Sequence, residues 1–75
     1  MHIGKIIEEE LRRQERTVTW LADKISCERT NVYSIFKRDS IDTQLLVRIS
    51  LALNHNFFAY YMKELEKRGF YSTQP

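Results

Sequence analysis

The sequence predicts an all-α chain: a compact five-helix bundle in one domain over residues 1–71, followed by a flexible tail at 72–75. Three observations lead there. Apolar residues recur at i, i+3 and i+4 in one segment after another, which is the period of a helix face. The chain has two glycines and one proline, and the proline is its last residue, so helix breakers are scarce. Finally, 75 residues make a single domain with a small core, for which self-association is a plausible source of extra stability.

Helix one is expected over about residues 3–14, with Ile3, Ile6, Ile7 and Leu11 as its inward stripe. Glu8, Glu9, Arg12 and Arg13 fall on the wet side. Glu8–Arg12 and Glu9–Arg13 are i, i+4 pairs, each contributing about 0.2–0.5 kcal/mol. Gly4 lowers helicity unless it lies in a fraying first turn. Residues 14–16 connect to helix two, over about 17–25, where Thr17 is a good N-cap and Leu21, Ala22 and Ile25 share one face. Trp20 reads as a half-buried packing residue rather than a stacking platform.

Ser26, Cys27 and Glu28 form the turn into helix three, expected over about 28–37. Cys27 reads as a buried, inert thiol. Val32, Ile35 and Phe36 point inward. Arg29, Thr30, Asn31, Tyr33, Ser34 and Lys37 point outward; they are mostly hydrogen-bonding and include no carboxylate. A surface of that kind suits base edges and phosphates. Thr17 and Thr19 place hydroxyls near the start of helix two, where backbone N–H groups also favour a phosphate.

Helix four is expected over about 41–53, capped by Ser40 or Asp42, with Ile41, Leu45, Leu46, Ile49, Ala52 and Leu53 on a wide apolar face. Asn54, His55 and Asn56 break it, and Asn56 is a natural cap for helix five, over about 57–67 and stopped by Gly69. Helix five carries two apolar stripes. Phe57, Tyr60 and Tyr61 form one; Phe58, Met62 and Leu65 form the other, about 100° away. A small domain buries only the first. Phe58, Met62 and Leu65 are therefore the expected homodimer contact, unless Phe70 and Tyr71 fold back over them.

Several functional classes find no support. No carboxylate pair, nucleophile–base set, glycine-rich phosphate loop or metal-ligand spacing is visible, so no catalytic residue, cofactor, metal or small-molecule ligand is expected. His55 reads as a satisfied surface histidine rather than a metal ligand. The single cysteine permits no intrachain disulfide and fits a reducing compartment. The N-terminal stretch turns acidic too early for a signal peptide, and no apolar run reaches the roughly 20 residues of a membrane span. The cytoplasm is the default location.

The net charge of +2 is unevenly placed. Residues 1–16 and 39–75 each hold four basic and four acidic side chains. Residues 17–38 hold Lys24, Arg29, Lys37 and Arg38 against Asp23 and Glu28, so the whole excess lies there, as a polyanionic partner would favour.

Leu21-Ala22, Ile25, the small residues Ser26 and Cys27, then Val32 and Ile35, in that spacing, resemble the helix-turn-helix of the phage-repressor family (XRE, or Cro-like). The likeness continues through Ile41-Asp42-Thr43 and Ile49 to Leu53, covering roughly residues 3–62. It implies a repressor-like, sequence-specific binder of double-stranded DNA that regulates transcription, with helix 28–37 in the major groove and a homodimer on two half-sites. The family's base-facing positions fall on Arg29, Thr30, Tyr33 and Ser34, with Arg29 placed for a bidentate contact to guanine and with Asn31 and Tyr33 able to reach either bases or the backbone. Its phosphate-positioning roles fall on Thr17, Thr19, Asn31, Lys37 and Arg38, with Arg16 and Ser40 at the margin. The chain departs from the family pattern at Val18, where Gln is frequent, and at Ser26, where Gly is frequent and a left-handed backbone is implied. It departs also at Glu28, which caps helix three with a charge that suits the helix dipole but opposes phosphate, and at Phe36, an apolar residue at a commonly polar position. The competing class is a protein-interaction module on the same fold, using the aromatic surface of helix five.

Overall fold

The computed structural model describes residues 1–70; the expected tail at 72–75 and Tyr71 lie outside the described residues. Among the described residues there are five helices and no strand: α1 (Ile3–Arg13), α2 (Val18–Lys24), α3 (Arg29–Phe36), α4 (Thr43–Leu53) and α5 (Phe58–Lys67). Each expected helix is present, shorter by a residue or two at one or both ends. The difference arises because cap residues lie outside the helical hydrogen-bond ladder.

The caps explain where the helices start. The His2 ring accepts from the Lys5 N–H, Thr17 Oγ1 from the Trp20 N–H at 3.0 Å, and Asp42 Oδ1 from the Leu45 N–H at 3.0 Å. Asp42, not Ser40, is thus the cap of α4. Asn56 Oδ1 accepts from the Phe58 N–H at 3.0 Å, so it serves the first turn of α5 from one residue further out than a standard N-cap. Glu28 stands at the cap position of α3 and makes no side-chain cap bond.

Four helices end the same way. Glu15, Ser26, Asn54 and Gly69 have φ of 57°, 56°, 50° and 93°. In each case the next residue's N–H reaches back to close the last turn: Arg16 to Leu11 O, Cys27 to Ala22 O, His55 to Ser50 O and Phe70 to Leu65 O. Ser26 does adopt the left-handed backbone expected of it. Glu15 does so as well, which its side-chain type did not announce.

The core gathers one face from each of the first four helices. Ile3, Ile7 and Leu11 come from α1, Leu21 and Ala22 from α2, Val32, Ile35 and Phe36 from α3, and Leu46, Ile49 and Leu53 from α4. Ile25 and Phe57 complete it from the helix flanks. Phe36 is core, as its apolar character implied. Ile6, Ile41, Leu45 and Ala52 only border the cluster. Truncating a fully buried Leu or Ile costs about 2–5 kcal/mol, far above helix propensity differences of under about 1 kcal/mol. Packing therefore holds these short helices in place. α5 contributes no buried residue of its own; Phe57, just ahead of it, is fully buried.

Gly4 has a specific task. It is buried, and its N–H donates to Arg38 O at 2.9 Å, while the Ile3 N–H reaches Asp39 O at 3.4 Å. A Cβ at Gly4 would collide with the carbonyl oxygens of Ile35, Phe36 and Arg38. The start of α1 is thus seated against the end of α3, and each end supplies partners for the other's unpaired backbone groups. The helicity lost at this glycine is offset by a close helix–helix approach that no other residue permits.

Two local expectations are corrected. Arg13 pairs with Glu10, not Glu9, because Glu10 lies on the inward side of α1 and offers an oriented carboxylate. Glu8–Arg12 forms as expected, at 2.8 Å. Cys27 is half-buried rather than fully buried, since the turn lifts it to the rim of the core. Its partial burial still pushes the thiol up from its ordinary range, away from the reactive thiolate.

Candidate functional site

The outward face of α3 is the largest concentration of polar side chains presented by one helix. With Val32, Ile35 and Phe36 turned into the core, Arg29, Thr30, Asn31, Tyr33 and Ser34 all stand exposed, followed by exposed Lys37 at the helix end. Tyr33 is 54% exposed and meets Phe36 edge-on, with ring centroids 6.2 Å apart. That contact steadies the ring while the residue as a whole stays exposed.

The sequence-selected residues divide among distinct surface depressions. Thr19, Arg29 and Thr30 share one on the α2 side of α3, together with Asp23 and Glu28. Tyr33 and Lys37 share another on the α1 side, with His2, Lys5 and Glu8. Thr17 joins Tyr33 in a third, with Arg12 and Arg16. Asn31 and Arg38 meet in a fourth, on the α4 side, beside Arg48. Arg48 donates to Ile25 O and so serves the end of α2. Arg38 therefore lies apart from Lys37, although the two are neighbours in sequence.

Charge is arranged by pairing. Among the described residues the side-chain ion pairs are Glu8–Arg12, Glu10–Arg13 and Glu64–Arg68, with His55 at 3.6 Å from Glu10. Arg29, Lys37 and Arg38 enter none of them. Arg16 is held instead over the Trp20 ring at 4.5 Å, with the Lys24 ammonium at 5.6 Å from the same ring. Trp20 is thus half-buried, with two cations at its ring.

A second polar centre escaped the sequence expectations. Glu10 is buried and accepts from Arg13 Nε at 2.9 Å and from Gln14 Nε2 at 2.7 Å. Gln14 Nε2 also donates to Leu53 O at 2.7 Å, and His55 Nε2 lies 2.8 Å from the Tyr60 hydroxyl. The end of α1 is thereby tied to the α4–α5 connection. The Arg13 hydrogen bond, opposed by burial and aided by Gln14 and His55, holds the Glu10 carboxyl down at about 2. A signal was present in the sequence: Glu10 continues the Ile3, Ile7, Leu11 stripe at helical spacing. His55 is accordingly satisfied, as expected, but half-buried rather than on the open surface.

On α5, Met62 and Leu65 are 46% and 44% exposed, whereas Phe58 is half-buried and packs on the core. Phe70 is itself exposed. On α4, Val47 and Leu51 are exposed apolar residues that the sequence expectations left out; Leu51 is 76% exposed. No helix among the described residues is long and apolar enough to cross a membrane, and no three metal-binding side chains gather there. No family model, no curated protein and no solved structure matches this chain.

Proposed function

We propose that the chain binds double-stranded DNA sequence-specifically and regulates transcription, in the manner of the phage-repressor-like proteins its sequence resembles. The observation that carries the reading is α3: its inner face is locked in the core and its outer face is polar, exposed and free of carboxylates. In this reading α3 enters the major groove. Arg29, Thr30, Tyr33 and Ser34 contact base edges, and Thr17, Thr19, Asn31, Lys37 and Arg38 position the backbone. The Thr17 oxygen accepts from the Trp20 N–H, which leaves its hydroxyl proton available to a phosphate. Two copies meeting through Met62 and Leu65 bind two half-sites about one helical turn apart.

Selection of binding sites from random duplexes, followed by titration across salt, tests this. Affinity that falls with salt and separates selected from scrambled duplexes supports it; flat titrations at low salt overturn it. Within a selected site, Arg29→Ala should lose about 1–3 kcal/mol of discrimination at one base pair. Lys37→Ala should weaken all duplexes alike and lower the salt slope by about one. A second reading is a protein-interaction module built on the exposed Met62 and Leu65 of α5. It is favoured if duplex affinity is absent while Met62→Ser removes binding to a protein partner.

A further inference from the structure

The two flanks of α3 differ in charge. On the α2 side, Arg29 shares its depression with the carboxylates of Asp23 and Glu28. On the α1 side, Tyr33 is the common wall of two adjoining depressions. Lys5 and Lys37 line one of them, and Arg12 and Arg16 line the other. Glu8 is the single carboxylate bordering either, and Arg12 holds it at 2.8 Å. That pair cancels itself. Lys5, Arg16 and Lys37 remain, and none of them enters an ion pair among the described residues.

The sequence order conceals this flank, because residues 1–16 are balanced in charge. Folding separates the balance. Glu10 is buried, turned toward the α4–α5 connection and paired with exposed Arg13, while Lys5 and Arg16 stay exposed on the side that borders α3. Arg16 is also partly ordered before any ligand arrives, since its guanidinium already rests on the Trp20 ring. Less side-chain entropy is then lost when it meets an anion.

We propose that this α1–α3 flank, through Lys5, Arg16 and Lys37, grips the phosphate backbone of the same duplex whose bases α3 contacts. The inference rests on the DNA-binding reading of α3. A duplex whose major groove takes α3 runs one strand's backbone along each flank. On the α2 side that backbone meets Thr19 beside two carboxylates, and on the α1 side it meets three cations that enter no ion pair among the described residues. Tyr33, standing between the two α1-side depressions, presents its hydroxyl to a phosphate there, so its role becomes one of positioning as much as base contact. α1 thereby joins the docking surface, which the charge of residues 17–38 taken alone did not indicate.

The test is the salt dependence of affinity for a fluorescent duplex taken from site selection, measured on the full chain. Lys5→Gln and Arg16→Gln should each reduce the slope of log affinity against log salt by about 0.9, weaken selected and scrambled duplexes alike, and together reduce it by about 1.8. Lys63→Gln on α5 should leave the slope unchanged. A circular-dichroism melt confirms folding, and because Lys5 is exposed, its variant keeps the test valid if Arg16→Gln loosens Trp20. Wild-type slopes in both variants overturn this inference alone, as does an equal loss in Lys63→Gln, which would mark a bulk charge effect. A wild-type chain with no salt-dependent affinity for any duplex overturns the reading of α3, and this inference with it.

Discussion

α3 and α5 are similar in length, eight and ten residues, yet they are held in opposite ways. α3 buries Val32, Ile35 and Phe36 and shows a polar outer face. α5 buries none of its residues and leaves Met62 and Leu65 exposed. α3 is fixed along its length by the core and at its end by Gly4. α5 is fixed from its beginning, by buried Phe57 and by the bond between His55 and Tyr60. A helix clamped along its length holds its outward side chains in constant register, which a reader of repeated polar groups needs. A helix anchored at one end with apolar residues outward suits a partner that completes its burial. Within one small chain, the lesson is that the way a helix is held and the chemistry it exposes go together.

The strongest way to break the contrast is at Gly4. Gly4→Ala should destabilise the chain by about 3 kcal/mol, because the added methyl meets backbone carbonyls that cannot rotate away. Urea unfolding measures it. Resonances of α3 should shift in the remaining folded fraction while those of α5 change little.

The anchor of α5 responds to acid. The folded Glu10 carboxyl sits at about 2, below its ordinary 4.5. A depressed carboxylate contributes stability that is fully present above its unfolded value and is lost as pH falls through the folded one. Stability should therefore decline between about pH 5 and pH 2. Glu10→Gln should lower stability at pH 7 by about 2 kcal/mol, as expected for a hydrogen bond to a charged group, and should flatten that acid decline. Chemical unfolding at stepped pH would reveal it; a decline of unchanged steepness would remove Glu10 as its source.

The outward face of α5 can be changed without touching the core. Met62→Ser combined with Leu65→Ser should alter unfolding free energy by under about 0.5 kcal/mol, as for surface sites. It should, however, shift the chain toward monomer in sedimentation at high micromolar concentration. A wild-type chain already monomeric there removes the self-association proposal. The turn before α3 should respond in the opposite direction, by a gain. Ser26→Gly should stabilise by up to about 1 kcal/mol, because glycine adopts φ 56° without a Cβ penalty. The same change at Glu15 should behave alike.

How far the sequence could be read depended on how local each cause was. Val32, Ile35 and Phe36 share a face because of the 3.6-residue period, so the polar outer face of α3 was legible from spacing. Ser26 was legible as a left-handed turn residue only through the family resemblance, in which glycine is frequent at that position. Phe58 was misplaced by the same method: its angle on α5 is sound, but whether the core reaches that angle depends on the α4–α5 connection. Leu51 was overlooked for a related reason, since a wide apolar face on α4 does not say which part stays uncovered.

The amino-acid order sufficed to specify five helices, their turns and the division of each into apolar and polar faces. These follow from backbone geometry acting over four or five residues. The meeting of Gly4 with Arg38, the tie from Gln14 to Leu53 and the gathering of Lys5, Arg16 and Lys37 around Tyr33 arose at the level of packing. Each joins residues from distant parts of the chain. Their proximity is set by how helices of fixed length cross around one shared core, and no window of sequence contains that information.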